Sequence, residues 1–86
     1  MSVYWTDEAW ADYLCWRRED HPVFKRINRL IEAVEANHFR GIGKPEPLRH
    51  EFAGYWSRRI TEEHRLVYKA TGGRIHIVSC RYHYRK

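Results

Sequence analysis

The feature that most constrains the fold is a change in the spacing of apolar residues close to Arg49. Before this point, apolar side chains recur every three or four residues, as on one face of an α-helix. After it, apolar and polar side chains alternate, which is typical of strands with one buried face. This order predicts an α+β fold, in which two N-terminal helices pack on one face of a mostly antiparallel sheet of four to five strands.

The helical half follows a short strand predicted at Val3–Trp5. Thr6 can cap the first helix, which we expect to end near Arg18. The segment Asp20–Pro22 marks the start of a second helix, and Asn37 is predicted to close that helix in the left-handed conformation. The two apolar faces consist of Trp10, Tyr13 and Leu14, and of Val23, Ile27, Leu30, Ile31 and Val34.

The second half alternates between strand-like runs and turn signals. Ala53-Gly54 predicts a tight turn, and Gly72-Gly73 predicts a two-residue hairpin. The predicted strands are Arg49–Phe52, Tyr55–Thr61, His64–Ala70 and Ile75–Tyr82. In the third of these, one face should carry Leu66, Tyr68 and Ala70, and the other Arg65, Val67 and Lys69.

A loop from His38 to Leu48 separates the two halves and contains a carboxylate between two prolines, Pro45-Glu46-Pro47. A proline keeps the residue before it out of the helical region, so Glu46 should be extended and stiff. Core packing gives no reason for a carboxylate at this point. Glu46 is therefore a candidate functional residue, with an exposed position in a rigid turn as the alternative.

Charge is distributed unevenly along the 86 residues, whose formal net charge is +5. Residues 1–43 carry six Lys/Arg and seven Asp/Glu, whereas residues 44–86 carry ten and four, a net of +6. A basic second half suits RNA or an acidic protein segment, and the alternative is a solvated basic face with no dedicated partner.

The two cysteines, the lack of a secretory signal and the lack of a long apolar run predict a single cytoplasmic domain, residues 1–86, that makes no contact with membranes.

Three side chains have the chemistry needed to cut RNA without a metal. A base must take the proton of the 2′-hydroxyl, an acid must protonate the leaving oxygen, and a cation must stabilise the charge on phosphorus. Glu46, His83 and Arg65 are candidates for these roles, and Arg59 is a second phosphate candidate. Tyr82 and Tyr84 could stack on bases. Taken singly, an arginine in a strand is more often solvent-facing than catalytic, and a C-terminal His-Tyr pair is more often part of a disordered tail. Spacing alone does not choose among these readings.

Metal and cofactor chemistry receive little support from the sequence. Cys80 and His83 have a ligand-like spacing, but no second cysteine pair accompanies them. The chain has no glycine-rich phosphate loop of Walker or Rossmann spacing, and nothing around Cys80 would activate it as a nucleophile. We therefore expect neither a metal nor a cofactor.

Several long motifs resemble one known family. They are Gly43–Leu48 (GKPEPL), Gly54–Ile60 (GYWSRRI), Thr61–Tyr68 (TEEHRLVY) and Cys80–Tyr84 (CRYHY). Together they resemble the YoeB (Txe) family of the RelE/ParE superfamily, which contains the toxins of type II toxin–antitoxin systems, and the similarity runs over the whole chain. The resemblance implies the microbial-ribonuclease-like RelE fold and an mRNA endonuclease that acts in the ribosomal A site.

The resemblance also implies roles for individual residues. The general base would be Glu46, the phosphate-stabilising cation Arg65 and the general acid His83, with Tyr84 positioning the substrate. The cations that would contact the RNA backbone are Lys44, Arg49 and Arg59. Arginine at position 49 replaces a more familiar lysine and keeps the charge, and Arg85-Lys86 extends beyond the usual end.

The family's partners follow from the same resemblance. A YefM-type antitoxin with an acidic, flexible C-terminal segment would wrap the toxin, and the complex would repress its own operon, so operator DNA would be bound only through that complex. The resemblance leaves room for a homodimer. Two other classes remain open: a module that binds RNA or the ribosome without cutting, and an interaction protein whose basic face only holds an acidic partner.

Overall fold

The fold is a five-stranded sheet with two helices on one face, in a computed structural model that describes residues 2–82. The elements are β1 (Ser2–Trp5), α1 (Asp7–Glu19), α2 (His21–Ala36), β2 (Glu46–Pro47), β3 (Trp56–Arg59), β4 (Arg65–Thr71) and β5 (Arg74–Ser79). The strand order is β1-β5-β4-β3-β2, with β1 parallel to β5 and every other pair antiparallel. The α+β fold and its mostly antiparallel sheet are as predicted.

The helices begin where their capping residues predict. The Thr6 hydroxyl accepts a hydrogen bond from the Ala9 amide at 3.1 Å, and the Asp20 carboxylate accepts one from the Val23 amide at 3.3 Å. The left-handed cap predicted at Asn37 is wrong, because its φ is −157° and its ψ is 118°. Its side chain instead accepts from two amides of the loop that follows, which starts a turn. No helix within residues 2–82 is long and apolar enough to cross a membrane.

The core lies between the helices and one face of the sheet. Ile27, Leu30 and Val34 of α2 are fully buried, and pack in one cluster with Leu66, Tyr68, Ile75 and Ile77 of β4 and β5. Arg65, Val67 and Lys69 alternate with the core-facing residues of β4, as predicted. They therefore point to the opposite side of the sheet, which we call the open face, although Val67 is itself fully buried on it.

One predicted strand is wrong and others change length. Arg49–Phe52 is not a strand, because His50 has a φ of +57° and residues His50–Phe52 form a short 3-10 turn. The edge strand is Glu46–Pro47, where a proline is tolerated because an edge residue can leave one side unpaired. The strand predicted to end at Tyr82 ends at Ser79. Of the strand predicted at Tyr55–Thr61, only Trp56–Arg59 is a strand.

Candidate active site

Register places three of the predicted site residues on the open face of the sheet. Glu46 pairs with Ser57, and Ser57 pairs with Val67, so these side chains form one row across β2, β3 and β4. The next row along the same face is the pair Arg59 and Arg65. Residues paired across strands or two apart along a strand share a face, so Glu46, Arg59 and Arg65 lie on the same face of the sheet.

The strand that carries Glu46 follows a tightly packed turn. Glu46 is exposed and extended, as predicted from its two prolines. Gly43 has a φ of +86°, and a Cβ at this position would lie 2.7 Å from Leu30 Cδ2 and 3.0 Å from Arg58 Cβ. The Gly43 carbonyl accepts a hydrogen bond from the Arg59 amide at 2.6 Å. Only glycine fits this close approach, so the turn is fixed to the end of β3.

Arg58 holds the same loop from inside the protein. Its side chain is fully buried, and it donates hydrogen bonds to the Tyr68 hydroxyl at 3.1 Å and to three loop carbonyls. Those carbonyls belong to Asn37, Arg40 and Ile42, at 2.6, 2.9 and 3.1 Å. No carboxylate within residues 2–82 pairs with this guanidinium, so its charge is stabilised by oriented carbonyl and hydroxyl dipoles. Arg58 received no role in the sequence analysis. Its structural role is visible only from its burial in the folded protein.

Arg65 is the first residue of β4, and its guanidinium is fixed by backbone. Nη1 donates to the carbonyls of Thr61, Glu62 and His64 at 2.8, 3.0 and 3.1 Å. All three hydrogen bonds that the guanidinium makes within residues 2–82 come from this one nitrogen. The group is therefore oriented without an acidic partner, as electrostatic stabilisation of a phosphate requires.

The pairing of Arg59 with Arg65 sets two cations side by side. Like charges directly opposite each other destabilise a sheet, and no carboxylate in residues 2–82 forms an ion pair with either group. Arg59 Nε is buried without a hydrogen-bond partner in this part of the chain. An anion between the two guanidinium groups would relieve both costs. Of the other predicted RNA-binding residues, Lys44 and Arg49 are exposed on the connections at either end of β2.

The segment that leads to His83 is attached to the sheet at several points. His64 is 8% exposed, and its Nδ1 accepts a hydrogen bond from the Tyr82 amide at 2.7 Å, which places the imidazole proton on Nε2. The Arg65 amide donates to the Tyr82 carbonyl at 3.0 Å. Trp16 Nε1 donates to the Cys80 carbonyl at 3.0 Å. The predicted residues His83 and Tyr84 lie outside the described residues, directly after this attachment.

Two side chains next to this segment, His64 and Arg81, received no role in the sequence analysis. His64 packs edge-on against Trp16 at 4.7 Å and lies 5.1 Å from the Tyr82 ring. The Arg81 guanidinium lies over Trp16 at 4.8 Å and is 3.7 Å from the Glu19 carboxylate. Tyr82, a predicted stacking residue, is 43% exposed. His64 lies directly before Arg65 in the Thr61–Tyr68 motif, and this was the available sign of a role for it. Its hydrogen-bond partner, Tyr82, is eighteen residues away in sequence, so the sequence alone does not reveal the contact.

Metal binding and cysteine chemistry gain no support from this geometry. Within residues 2–82 there is no group of three His, Cys, Asp or Glu side chains that could hold a metal ion. Cys80 is fully buried, and burial raises the pKa of its thiol to about 12. The thiolate form is therefore disfavoured, which is the opposite of an activated nucleophile.

The fold and this site define a small α+β protein with a cationic, carboxylate-bearing sheet face. The sequence profile of the YoeB-like toxin of bacterial type II toxin-antitoxin systems matches residues 5–84. Toxin YoeB of Escherichia coli K12 is 52% identical over 84 residues, which cover 98% of this chain and 100% of the relative. The chain therefore belongs to the YoeB toxin family of type II toxin–antitoxin systems.

Solved structures agree with this assignment. A YoeB/ParE toxin from Agrobacterium tumefaciens superposes with a TM-score of 0.95 at 46% identity, covering 98% of this chain and 100% of that one. YoeB from Staphylococcus aureus, in a heterotetrameric complex with YefM and also as a dimer, gives a TM-score of 0.92 at 41% identity, with 98% of both chains covered. The RelE-type fold predicted from the sequence motifs is confirmed.

Proposed function

We propose that this toxin is a ribosome-dependent mRNA endoribonuclease that works by metal-independent acid/base catalysis. The observation that carries the proposal is the placement of Glu46, Arg59 and Arg65 on neighbouring positions of one sheet face. Neither cation forms an ion pair with a carboxylate within residues 2–82, so both are available to a phosphodiester. A single toxin domain, residues 1–86, would carry the whole activity.

The reaction needs one proton removed and one supplied. Glu46, exposed on a stiff strand, would take the proton of the 2′-hydroxyl as its oxygen attacks the adjacent phosphorus. The bond from phosphorus to the 5′-oxygen then breaks, and His83 would protonate the leaving oxygen, leaving a 2′,3′-cyclic phosphate. Arg65 would stabilise the charge on the equatorial oxygens, while Tyr84 would position the substrate.

The remaining cations would hold the RNA backbone. Arg59 lies on β3, and Lys44 and Arg49 lie on the connections at either end of β2. A small domain with few cationic contacts binds free RNA weakly at physiological salt. The ribosomal A site would present an ordered codon, and so supply the orientation that the toxin alone does not.

Inhibition would come from a YefM-type antitoxin, as in the complex of the Staphylococcus aureus relative. The net charge of +6 over residues 44–86 favours an acidic segment of such a partner. The toxin–antitoxin complex would bind operator DNA and repress its own operon. The dimer of the same relative supports a homodimer of this chain as well.

The test is cleavage of an mRNA on translating ribosomes, mapped by primer extension. Glu46→Gln, Arg65→Ala and His83→Gln should each lower the cleavage rate severely, because each removes a different charge or proton-transfer role. Matched controls are Glu51→Gln and Arg29→Ala, which change exposed residues of the 3-10 turn and of α2. Slow cleavage of a short free RNA at high toxin concentration should persist in EDTA.

Three results would contradict the proposal. Near wild-type rates for all three catalytic variants would exclude this mechanism. Loss of free-RNA cleavage in EDTA would make the reaction metal-dependent. Ribosome binding and growth arrest without cut mRNA ends would identify a non-catalytic binding module instead.

A further inference from the structure

Beyond the candidate catalytic rows, the open face carries a groove of about 400 Å³. Its walls include Tyr4 of β1, His76 of β5, Lys69 and Thr71 of β4, and Tyr55, which precedes β3. Tyr4 pairs with His76, and His76 pairs with Lys69, so these three side chains stand in one row across three strands. We call this feature the stacking groove.

The stacking groove lies on the same face as the catalytic candidates. Lys69 is two residues from Val67 along β4, and Val67 belongs to the row that contains Glu46. Arg65 is four residues from Lys69, which corresponds to roughly 13 Å along a strand. Arg65 and the stacking groove therefore lie on the same face of the sheet, with the buried Val67 between them.

The side chains of the groove have the chemistry that single-stranded RNA recognises. The rings of Tyr4 and His76 stack with centroids 5.3 Å apart and planes inclined by 18°. The Arg74 guanidinium lies 5.9 Å from the Tyr4 ring centroid, and Lys69 Nζ lies 5.5 Å from that of Tyr55. None of the residues between 2 and 82 that line the groove is acidic. Exposed aromatic rings next to cations are the usual platform for bases and their phosphates.

We propose that the stacking groove binds the single-stranded mRNA that flanks the cleaved phosphodiester. Bases would stack on Tyr4 and Tyr55, and phosphates would lie against Lys69 and Arg74. The proposal rests on the proposed function, because it extends the RNA path from Arg65. A second copy of the chain fits less well, since two copies meeting at this groove would bring cations together. An acidic peptide would use the cations but not the stacked rings.

The test measures binding of a fluorescein-labelled single-stranded RNA dodecamer by anisotropy. All proteins carry Glu46→Gln, so that the probe stays intact. Tyr4→Leu and Tyr55→Leu should each weaken binding about fivefold or more, because a base–aromatic stack is lost. Lys69→Ala should lower the slope of log affinity against log salt by about 0.7, as expected for one phosphate contact on a single strand.

The controls change similar side chains on the helical layer. Trp10→Leu removes an aromatic ring of α1 that is 45% exposed, and Lys25→Ala removes an exposed cation of α2. Both should leave RNA affinity within twofold of the parent. Circular dichroism melts of all five variants separate a loss of binding from a loss of fold.

A second measurement separates this proposal from the proposed function. With Glu46 restored, the groove variants should raise KM for cleavage of ribosome-bound mRNA while kcat stays close to wild type. Unchanged RNA affinity with normal cleavage would overturn the groove and leave the nuclease intact. Wild-type protein that never cuts, but loses RNA affinity in the groove variants, would overturn only the nuclease. Equal binding of poly-glutamate, with competition against RNA, would make the groove a protein-docking surface and overturn the proposal.

Discussion

The loop before Glu46 and the segment before His83 are held in different ways. The loop before Glu46 is fixed from inside by Arg58, a fully buried cation with four hydrogen bonds to carbonyl and hydroxyl oxygens. The segment before His83 is held by separate contacts along its length: Tyr82 by the His64 imidazole and the Arg65 amide, and the Cys80 carbonyl by Trp16 Nε1. The first support is part of the core, and the second lies at its margin.

Because of this difference, substitutions at the first support should lower stability, and substitutions at the second should lower activity. Removing a buried cation leaves several polar groups without a hydrogen-bond partner at once, so the free energy of unfolding should fall. Removing a hydrogen bond near the end of the chain should disturb mainly the residues that follow it, because chain ends are held by fewer contacts.

The largest loss of stability is expected for Arg58→Leu. The substitution leaves the carbonyls of Asn37, Arg40 and Ile42 and the Tyr68 hydroxyl without their donor. Urea denaturation should show the free energy of unfolding lowered by about 3 kcal/mol or more. Arg29→Leu, on the exposed surface of α2, is the matched control and should change it by less than about 0.5 kcal/mol. Equal losses in the two variants would remove Arg58 from its structural role.

The second effect concerns the turn that Arg58 packs against. Gly43→Ala introduces a Cβ 2.7 Å from Leu30 Cδ2 at a φ of +86°, so both contact and backbone strain oppose it. We expect a loss of about 1–3 kcal/mol in unfolding free energy, measured by the same denaturation. Gly72→Ala has a φ of +56° but nothing within 4 Å of the added Cβ, so it reports strain alone. A larger loss at position 72 than at position 43 would contradict the close approach.

His64→Phe should lower activity far more than stability. Phenylalanine keeps a ring against Trp16 but cannot accept a hydrogen bond from the Tyr82 amide, so the segment before His83 loses the contact closest to that residue. We expect ribosome-dependent cleavage to slow on the order of 10- to 100-fold through misplacement of the general acid. The unfolding free energy should fall by only about 1 kcal/mol.

The conservative variant His64→Asn tests the same contact by restoring a hydrogen-bond acceptor for the Tyr82 amide. Asparagine presents an acceptor oxygen close to the position of Nδ1, so it should recover part of the cleavage rate. Amide exchange at Tyr82 should be fast in His64→Phe and slower in His64→Asn. Identical exchange and identical cleavage rates in the two variants would show that His64 does not position this segment.

The smallest effect is expected for Glu19→Gln. The Arg81–Glu19 pair spans 3.7 Å, and the Glu19 side chain is 53% exposed, so solvent screens the attraction. Arg81 keeps its position over the Trp16 ring at 4.8 Å without this partner. The unfolding free energy should change by less than about 0.5 kcal/mol, with cleavage within twofold of wild type. A severe loss of cleavage would mean that this surface pair, and not His64, holds the segment.

Local signals predicted most of the elements. The capping residues Thr6 and Asp20 begin their helices where expected, and the alternation along β4 gives the correct two faces. The errors fall where long-range contacts override local preference. Asn37 has a common capping side chain, yet its carbonyl is bound by Arg58, and it adopts an extended conformation. His50 has a left-handed φ that no strand pattern predicts.

The sequence by itself determined the class of fold, the extended Glu46 and the cationic character of the second half, because spacing, proline chemistry and charge are local or additive properties. Only the tertiary structure decided which cations meet. Register places Arg59 beside Arg65 on the open face, whereas the adjacent Arg58 turns into the core. Consecutive residues of a strand point to opposite faces, so two neighbouring arginines receive opposite roles once pairing with β4 fixes which face is buried.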